Sequence, residues 1–181
     1  MSTFTKENYN SPDGMLTTVW GPLVWHFLHI ISFNYPVKPT PEDKQNYKNY
    51  LLSLGKILTC KYCRDNFAKN LKKAGFSQKI FKDRESFSKF IYKLHNEVNK
   101  MLNKSVDITY NEARDIYEHF RARCVNETPL IPRTKENGCL DPLYGIKSKC
   151  VINIVPKDSK KKSFDFDKKC KFIRKKSDKK K

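Results

Sequence analysis

Apolar side chains recur at helical spacing through almost all of the first 124 residues, and this pattern limits the chain to a helical fold. Val24, Phe27, Leu28 and Ile31 stand at i, i+3, i+4 and i+7 behind Gly21 and Pro22, and Pro36 ends the run, which predicts a first helix. Thr40, Pro41, Glu42 and Asp43 make a capped, acidic start for a second helix, about 41–58, whose face carries Tyr47, Tyr50, Leu51, Leu54 and Leu58. A third begins at Cys60 or Lys61, passes Phe67 and Leu71, and stops at Gly75. Phe87, Ile91, Leu94, Val98 and Met101 mark a fourth, about 83–102. A capping box at Thr109 and Glu112 opens a fifth that ends near Cys124. Short connections and the absence of a convincing strand predict an all-α fold, a small four/five-helix bundle.

Beyond residue 124 the character of the sequence changes. Pro129, Pro132, Gly138, Pro142 and Gly145 punctuate a segment that also holds the β-branched run Val151, Ile152, Asn153, Ile154 and Val155, which predicts a small hairpin or an extended arm. From Lys157 the chain is a low-complexity polycation, expected to be disordered from Ser159 to Lys181. The expected divisions are an N-terminal extension 1–17, a helical domain 18–124, a cysteine-containing arm 125–156 and a basic tail 157–181.

The formal net charge is +18, and it is unevenly spread: residues 1–124 carry 20 basic and 12 acidic side chains, the remaining 57 carry 17 and 7. Such a tail is read in three ways: as a solvated segment, as a non-specific binder of nucleic acid or other polyanions, or as a dock for an acidic protein substrate. Phe164, Phe166 and Phe172 are too sparse for a base-stacking platform. The most apolar window, Val24 to Tyr35, is interrupted by His26, His29, Ser32 and Asn34 and falls short of the roughly 20 residues a spanning helix needs. Residues 1–16 are polar, so no secretory signal is visible, and a cytoplasmic, non-secreted protein is expected.

Six cysteines in 181 residues are too few to staple a miniprotein and many for idle cytosolic thiols. Cys60 and Cys63 have a two-residue spacer that lets the thiols close a small reducible ring, and a helix starting at Cys60 would aim its N–H groups at the sulfurs and favour thiolate. Lys61 and Arg64 add positive charge. The competing readings are half of a zinc knuckle, which would make the chain a non-enzymatic basic binding module, and idle thiols. No second close pair is present: Cys124, Cys139, Cys150 and Cys170 are separated by 14, 10 and 19 residues. A thioredoxin fold is disfavoured because the pair sits between helices.

Polar residues also interrupt the apolar stripes. His95 and Asn99 lie beside the buried face of the fourth helix, and Gly21, Trp25 and His29 line up four residues apart on the first. A bare backbone, an aromatic plane and imidazoles in one row suit a flat ligand rich in heteroatoms. An ordinary core with satisfied histidines is an equal reading.

Taken together, Trp20, Gly21, Pro22, Trp25 and His29, then Tyr35 and Pro36, then Cys60, Cys63, Arg64 and Phe67, then Leu94 through Lys104, resemble the ERV/ALR family of FAD-linked sulfhydryl oxidases over roughly residues 18–120. The resemblance implies a helical bundle that binds FAD, usually a homodimer, with Cys60 and Cys63 as the catalytic redox pair: Cys63 beside the flavin, Cys60 open to incoming thiols. It implies cofactor contacts from Gly21, Trp25, His29 and Tyr35, from His95, Val98 and Asn99 on the adenine or ribose side, from Lys104 near the charged part and from Tyr110. Electrons would pass from protein dithiols through the cysteine pair and flavin to O2, giving hydrogen peroxide. No resident metal is implied.

Thr59 stands where the family commonly has proline, and no cysteine lies between Cys63 and Cys124 to form the extra structural disulfide of many cellular members. The chain looks more like the branch carried by large cytoplasmic DNA viruses, whose substrates are virion proteins or a thioredoxin-like carrier in host cytoplasm, virus factory or virion. Family members often relay electrons through a shuttle cysteine pair. Cys139 and Cys150 are the expected candidates, with a structural disulfide as the equal alternative.

Overall fold

Threonine caps set the registers on which the fold is built. In the computed structural model, which describes residues 4–124 and 138–170, the Thr40 hydroxyl accepts the Asp43 N–H at 3.1 Å while the Asp43 carboxylate accepts the Thr40 N–H at 2.8 Å. Thr109 and Glu112 make the same reciprocal pair, as the sequence predicts.

The chain divides into two units, Met1–Lys104 and Ser105–Lys181. The first contains α1 (Lys6–Tyr9), α2 (Thr17–Asn34), α3 (Pro41–Ile57), α4 (Lys61–Ala74), a 3-10 turn (Gln78–Phe81) and α5 (Arg84–Met101). Helix α5 is central: it packs on α2, on α4 and on the 3-10 turn, while α3 packs on α4. Its stripe of Phe87, Phe90, Ile91 and Leu94 is buried with Leu28, Leu51, Leu54, Phe67 and Leu71 in one core. Burial of these side chains, each worth about 1.5–3 kcal/mol, is what holds the bundle. Gly55 belongs to the α3–α4 contact for a steric reason: a Cβ there would overlap the buried Phe67 ring.

Helix ends follow the same local logic. Gly75 takes φ 89°, and the Phe76 N–H donates to the Leu71 carbonyl at 3.0 Å, which stops α4 where expected. Helix α5 ends on Asn103 at φ 52°, with the Lys104 N–H donating to the Asn99 carbonyl at 2.9 Å and the Asn103 N–H to Lys100 at 3.1 Å. That fold-back turns Lys104 toward the preceding helical turn.

Three boundaries differ from the sequence reading. Helix α2 starts a turn before Gly21, so Pro22 lies inside it rather than at its first position. Val19 and Trp20 donate N–H bonds to the Leu16 carbonyl, and the Trp20 indole donates to the Met15 carbonyl at 3.0 Å, so the extra turn is held from outside the helix. Helix α6 (Tyr110–Glu118) stops short of Cys124, because Ala122–Cys124 forms strand β1, antiparallel to β2 (Cys139–Pro142) with Arg123 opposite Asp141. The hairpin therefore uses these segments, and the Val151–Val155 run joins no strand among the described residues.

The second unit contains α6, the two strands and a short 3-10 turn (Lys168–Cys170). Within its basic segment Phe166 packs edge-on against Phe120 at 5.1 Å and against His119 at 6.2 Å. From Ser159 to Asp167 no helix or strand is formed, in line with the expected irregular tail, and residues 125–137 and 171–181 lie outside the described residues.

Candidate active site

Cys60 is the N-cap of α4, with its sulfur accepting the Cys63 N–H at 3.2 Å. The positive end of the helix thus faces this sulfur, as the spacing predicts. The short Leu58–Cys60 connection is fixed from both sides. Leu58 is buried, and the Arg64 guanidinium, one turn into α4, donates to the Leu58 carbonyl. Both cysteines are free thiols here. They differ in surroundings: Cys63 packs against the core, and burial, then the neighbouring Cys60 sulfur, pushes its thiol above the ordinary cysteine range.

The second constellation joins α2 to α5. Trp25 and His95 stack with ring centroids 4.2 Å apart and planes within 6°, and His29 Nε2 meets His95 Nδ1 at 3.1 Å. Sequence reasoning placed these residues in one row on two helices, and the α2–α5 packing brings them together. Val98 and Asn99 follow on the same helix, half-buried, and the charge of Lys104 acts on His95. In front of Gly21 a Cβ would meet nothing within 4 Å, so the row has open space at that end.

Burial dominates the protonation of this cluster. It pushes His29 down to about 3, helped by His95 and His26, and His95 down to about 4, helped by Lys104. Both rings are neutral at pH 7, so one nitrogen of each is a donor and the other an acceptor. The unfolded chain takes up protons near pH 6.5, before the folded one does, so the stability these rings contribute is complete above that value and falls on acidification. Lowering the pH from about 6.5 to about 5 should cost about 2 kcal/mol for His29 alone. Urea midpoints at pH 7, 6 and 5 measure this; His29→Gln should flatten the dependence, and equal slopes in the two proteins would contradict it.

Two further expected site residues lie outside α2 and α5. Tyr35 is fully buried in the core: its hydroxyl donates to the Phe81 carbonyl at 3.0 Å, its ring meets Tyr47 and Phe87, and Arg84 Nε donates to its carbonyl at 2.6 Å. Its hydroxyl and ring are thus engaged in the core. Tyr110 opens α6 in the second unit. Cys139 is bonded to Cys124 rather than Cys150, so the structure holds the alternative of a disulfide across the hairpin, with Cys150 and Cys170 as free thiols. Arg64 is expected from the sequence only as nearby positive charge; its clamp on the Leu58–Cys60 turn depends on how α3 meets α4.

Two shallow depressions, of about 300 Å³ beside Ala74 and Phe90 and about 240 Å³ between Phe27 and Tyr50, are lined by none of Cys60, Cys63, Trp25, His29 or His95. Among the described residues, no group of three or more His, Cys, Asp or Glu side chains could hold a metal ion. A flat aromatic plate, two neutral imidazoles, an amide, a lysine and an open glycine suit a dinucleotide with a planar ring system, so these residues fit FAD.

Comparison with known proteins agrees with this donor set. The Erv1/Alr family profile matches residues 22–121. The probable FAD-linked sulfhydryl oxidase R368 of Acanthamoeba polyphaga mimivirus is 35% identical over 99 residues, 55% of this chain and 68% of that protein. The FAD-linked sulfhydryl oxidase of African swine fever virus is 30% identical over 55% of this chain and 80% of its own length. Among solved structures, the yeast Erv1 core superimposes with a TM-score of 0.51 at 25% identity, covering 65% of this chain and 92% of the core. With a CxxC pair at a helix start and a Trp–His cluster on the adjoining helices, the chain belongs to the Erv1/Alr family of FAD-linked sulfhydryl oxidases.

Proposed function

We propose that the Cys60–Cys63 pair takes electrons from dithiols in protein substrates, passes them to FAD and thereby makes disulfides, with O2 as final acceptor and hydrogen peroxide as product. The observation that carries this reading is the asymmetry of the pair: one sulfur at the rim of α4, the other against the core. In the oxidised enzyme a substrate thiolate attacks the Cys60 sulfur, the Cys60–Cys63 bond breaks and Cys63 leaves with the electron pair. A second substrate thiolate then attacks its partner sulfur in the mixed disulfide and releases Cys60. Substrate has lost two electrons, and the cysteine pair has gained them.

Cys63, whose thiol resists ionisation, holds its proton until the acceptor is in place. Bound FAD supplies two-electron chemistry toward oxygen. Trp25, His95, His29 and Asn99 would bind and orient its nucleotide, Gly21 would leave room for it, and Lys104 would neutralise its charge. Oxygen uptake and peroxide release with a reduced, unfolded model protein test the reading: equimolar disulfide and peroxide are expected, and disulfide formation without oxygen uptake would refute it.

The working form is a homodimer. Leu23, Phe27 and Ile30 are exposed at i, i+4 and i+7 on α2, and Phe27 meets Tyr50 of α3 at 6.4 Å, an apolar face suited to a second copy. Phe27→Glu should halve the mass seen by sedimentation equilibrium; an unchanged mass would exclude this face. Among the described residues no helix is long and apolar enough to cross a membrane. The viral relatives and the lack of cysteine between Cys63 and Cys124 favour a virus-encoded enzyme acting in host cytoplasm on virion proteins or a carrier. Contact of the basic tail with nucleic acid would be a separate, salt-sensitive property.

A further inference from the structure

The N-terminal extension comes directly to the redox motif. A Cβ at Gly14 would overlap the Thr59 carbonyl oxygen and stand 3.3 Å from its carbon and 3.6 Å from the Cys60 Cα. Gly14 is not among the glycines with positive φ, so glycine is needed here for close approach of one backbone to another and not for a turn. The next residue is held too, since the Trp20 indole donates to the Met15 carbonyl at 3.0 Å and Trp20 packs on the core. The extension is thus seated against the residue preceding the substrate-facing cysteine.

What it presents there is apolar. Met15 is 69% exposed and Leu16 73% exposed, and on the motif side Ile57 is 72% and Tyr62 57% exposed. Two of these side chains follow the glycine that meets Thr59 and the Cys60 Cα, and the other two stand three residues before and two residues after Cys60 in the chain. We propose that Met15, Leu16, Ile57 and Tyr62 form the docking surface for the protein substrate, and that its occupant is an extended segment whose cysteine is flanked by apolar side chains. The occupant follows from the place of this surface: Gly14 seats the extension against the Thr59–Cys60 backbone, so a chain that delivers a thiol to Cys60 from that side lies across Met15 and Leu16. A small dithiol needs none of these contacts. The proposal rests on the assignment of Cys60 as the sulfur open to substrate.

The test runs without flavin turnover. In the full-length chain with Cys63→Ser, Cys150→Ser and Cys170→Ser, the Cys60 thiolate attacks the peptide sulfur of a peptide–thionitrobenzoate mixed disulfide. The Cys60–peptide bond forms, the old bond breaks, and thionitrobenzoate leaves with the electron pair and is read by its absorbance. A peptide with Leu and Phe beside its cysteine should react about tenfold faster than one with Ser and Gly, an advantage of the size that burying a few apolar groups gives. Adding Met15→Ser and Leu16→Ser should remove most of that advantage and leave the Ser/Gly peptide's rate unchanged. Gly14→Val, which unseats the extension, should do the same by a different route. Equal rates for the two peptides, or an advantage that survives both sets of substitutions, would overturn the docking surface. A Cys60 that reacts with neither peptide would instead overturn the assignment of Cys60 on which it rests.

Discussion

Serine at position 63 is expected to lower dithiol oxidation by about three orders of magnitude or more, because no disulfide can form and no sulfur then faces the core to carry electrons inward. Serine at position 60 should be as damaging to turnover. The two variants separate in a second assay. Cys63→Ser keeps the N-capping sulfur of Cys60 and should still capture activated disulfides, whereas Cys60→Ser should lose capture along with turnover. Rates of turnover and of capture, measured on both proteins, check the order of the two sulfurs. Faster capture by Cys60→Ser than by Cys63→Ser would reverse the assignment. Neither change should unfold the chain, since Cys60 and Cys63 are both partly exposed and Ser is itself a good N-cap.

The second large effect concerns the cofactor. Trp25→Ala removes one of two stacked planes and is expected to weaken FAD binding about 10- to 100-fold, the equivalent of about 1–3 kcal/mol of ring stacking. Trp25→Phe, which keeps a smaller plane, should recover part of it. Tyr35→Phe is the informative contrast: it costs the hydrogen bond to the Phe81 carbonyl, so it should lower stability while leaving FAD affinity intact. Titration of the apoprotein with FAD, followed by flavin fluorescence, distinguishes the two. Equal affinities for wild type and Trp25→Ala would remove Trp25 from the cofactor site.

Much of this was legible before the coordinates, for reasons that can be named. Stops at Gly75 and starts at Thr40 and Thr109 depend only on neighbouring residues, so local chemistry fixed them. Trp25, His29 and His95 could be picked out because polar groups in an apolar stripe need a partner or a ligand. Their stacking could not, since it requires α2 and α5 to pack face to face. The core contacts of Tyr35 were hidden for the same reason: they depend on Tyr47, Phe81 and Phe87, which are distant in sequence. The Cys124–Cys139 bond was one of several pairings open to four cysteines, and only the β1–β2 register selects it. Gly14 carried no signal at all, because the carbonyl it rests on belongs to residue 59.

The most direct measurement is the visible absorption spectrum of the purified protein, recorded before and after anaerobic addition of a dithiol and again on admitting air. The account predicts a yellow protein with a flavin band that bleaches with dithiol and returns with oxygen, and a Cys63→Ser protein whose band does not bleach. A flavin band that bleaches equally in that variant, or a wild-type chain that does not turn yellow when supplied with FAD, would contradict it.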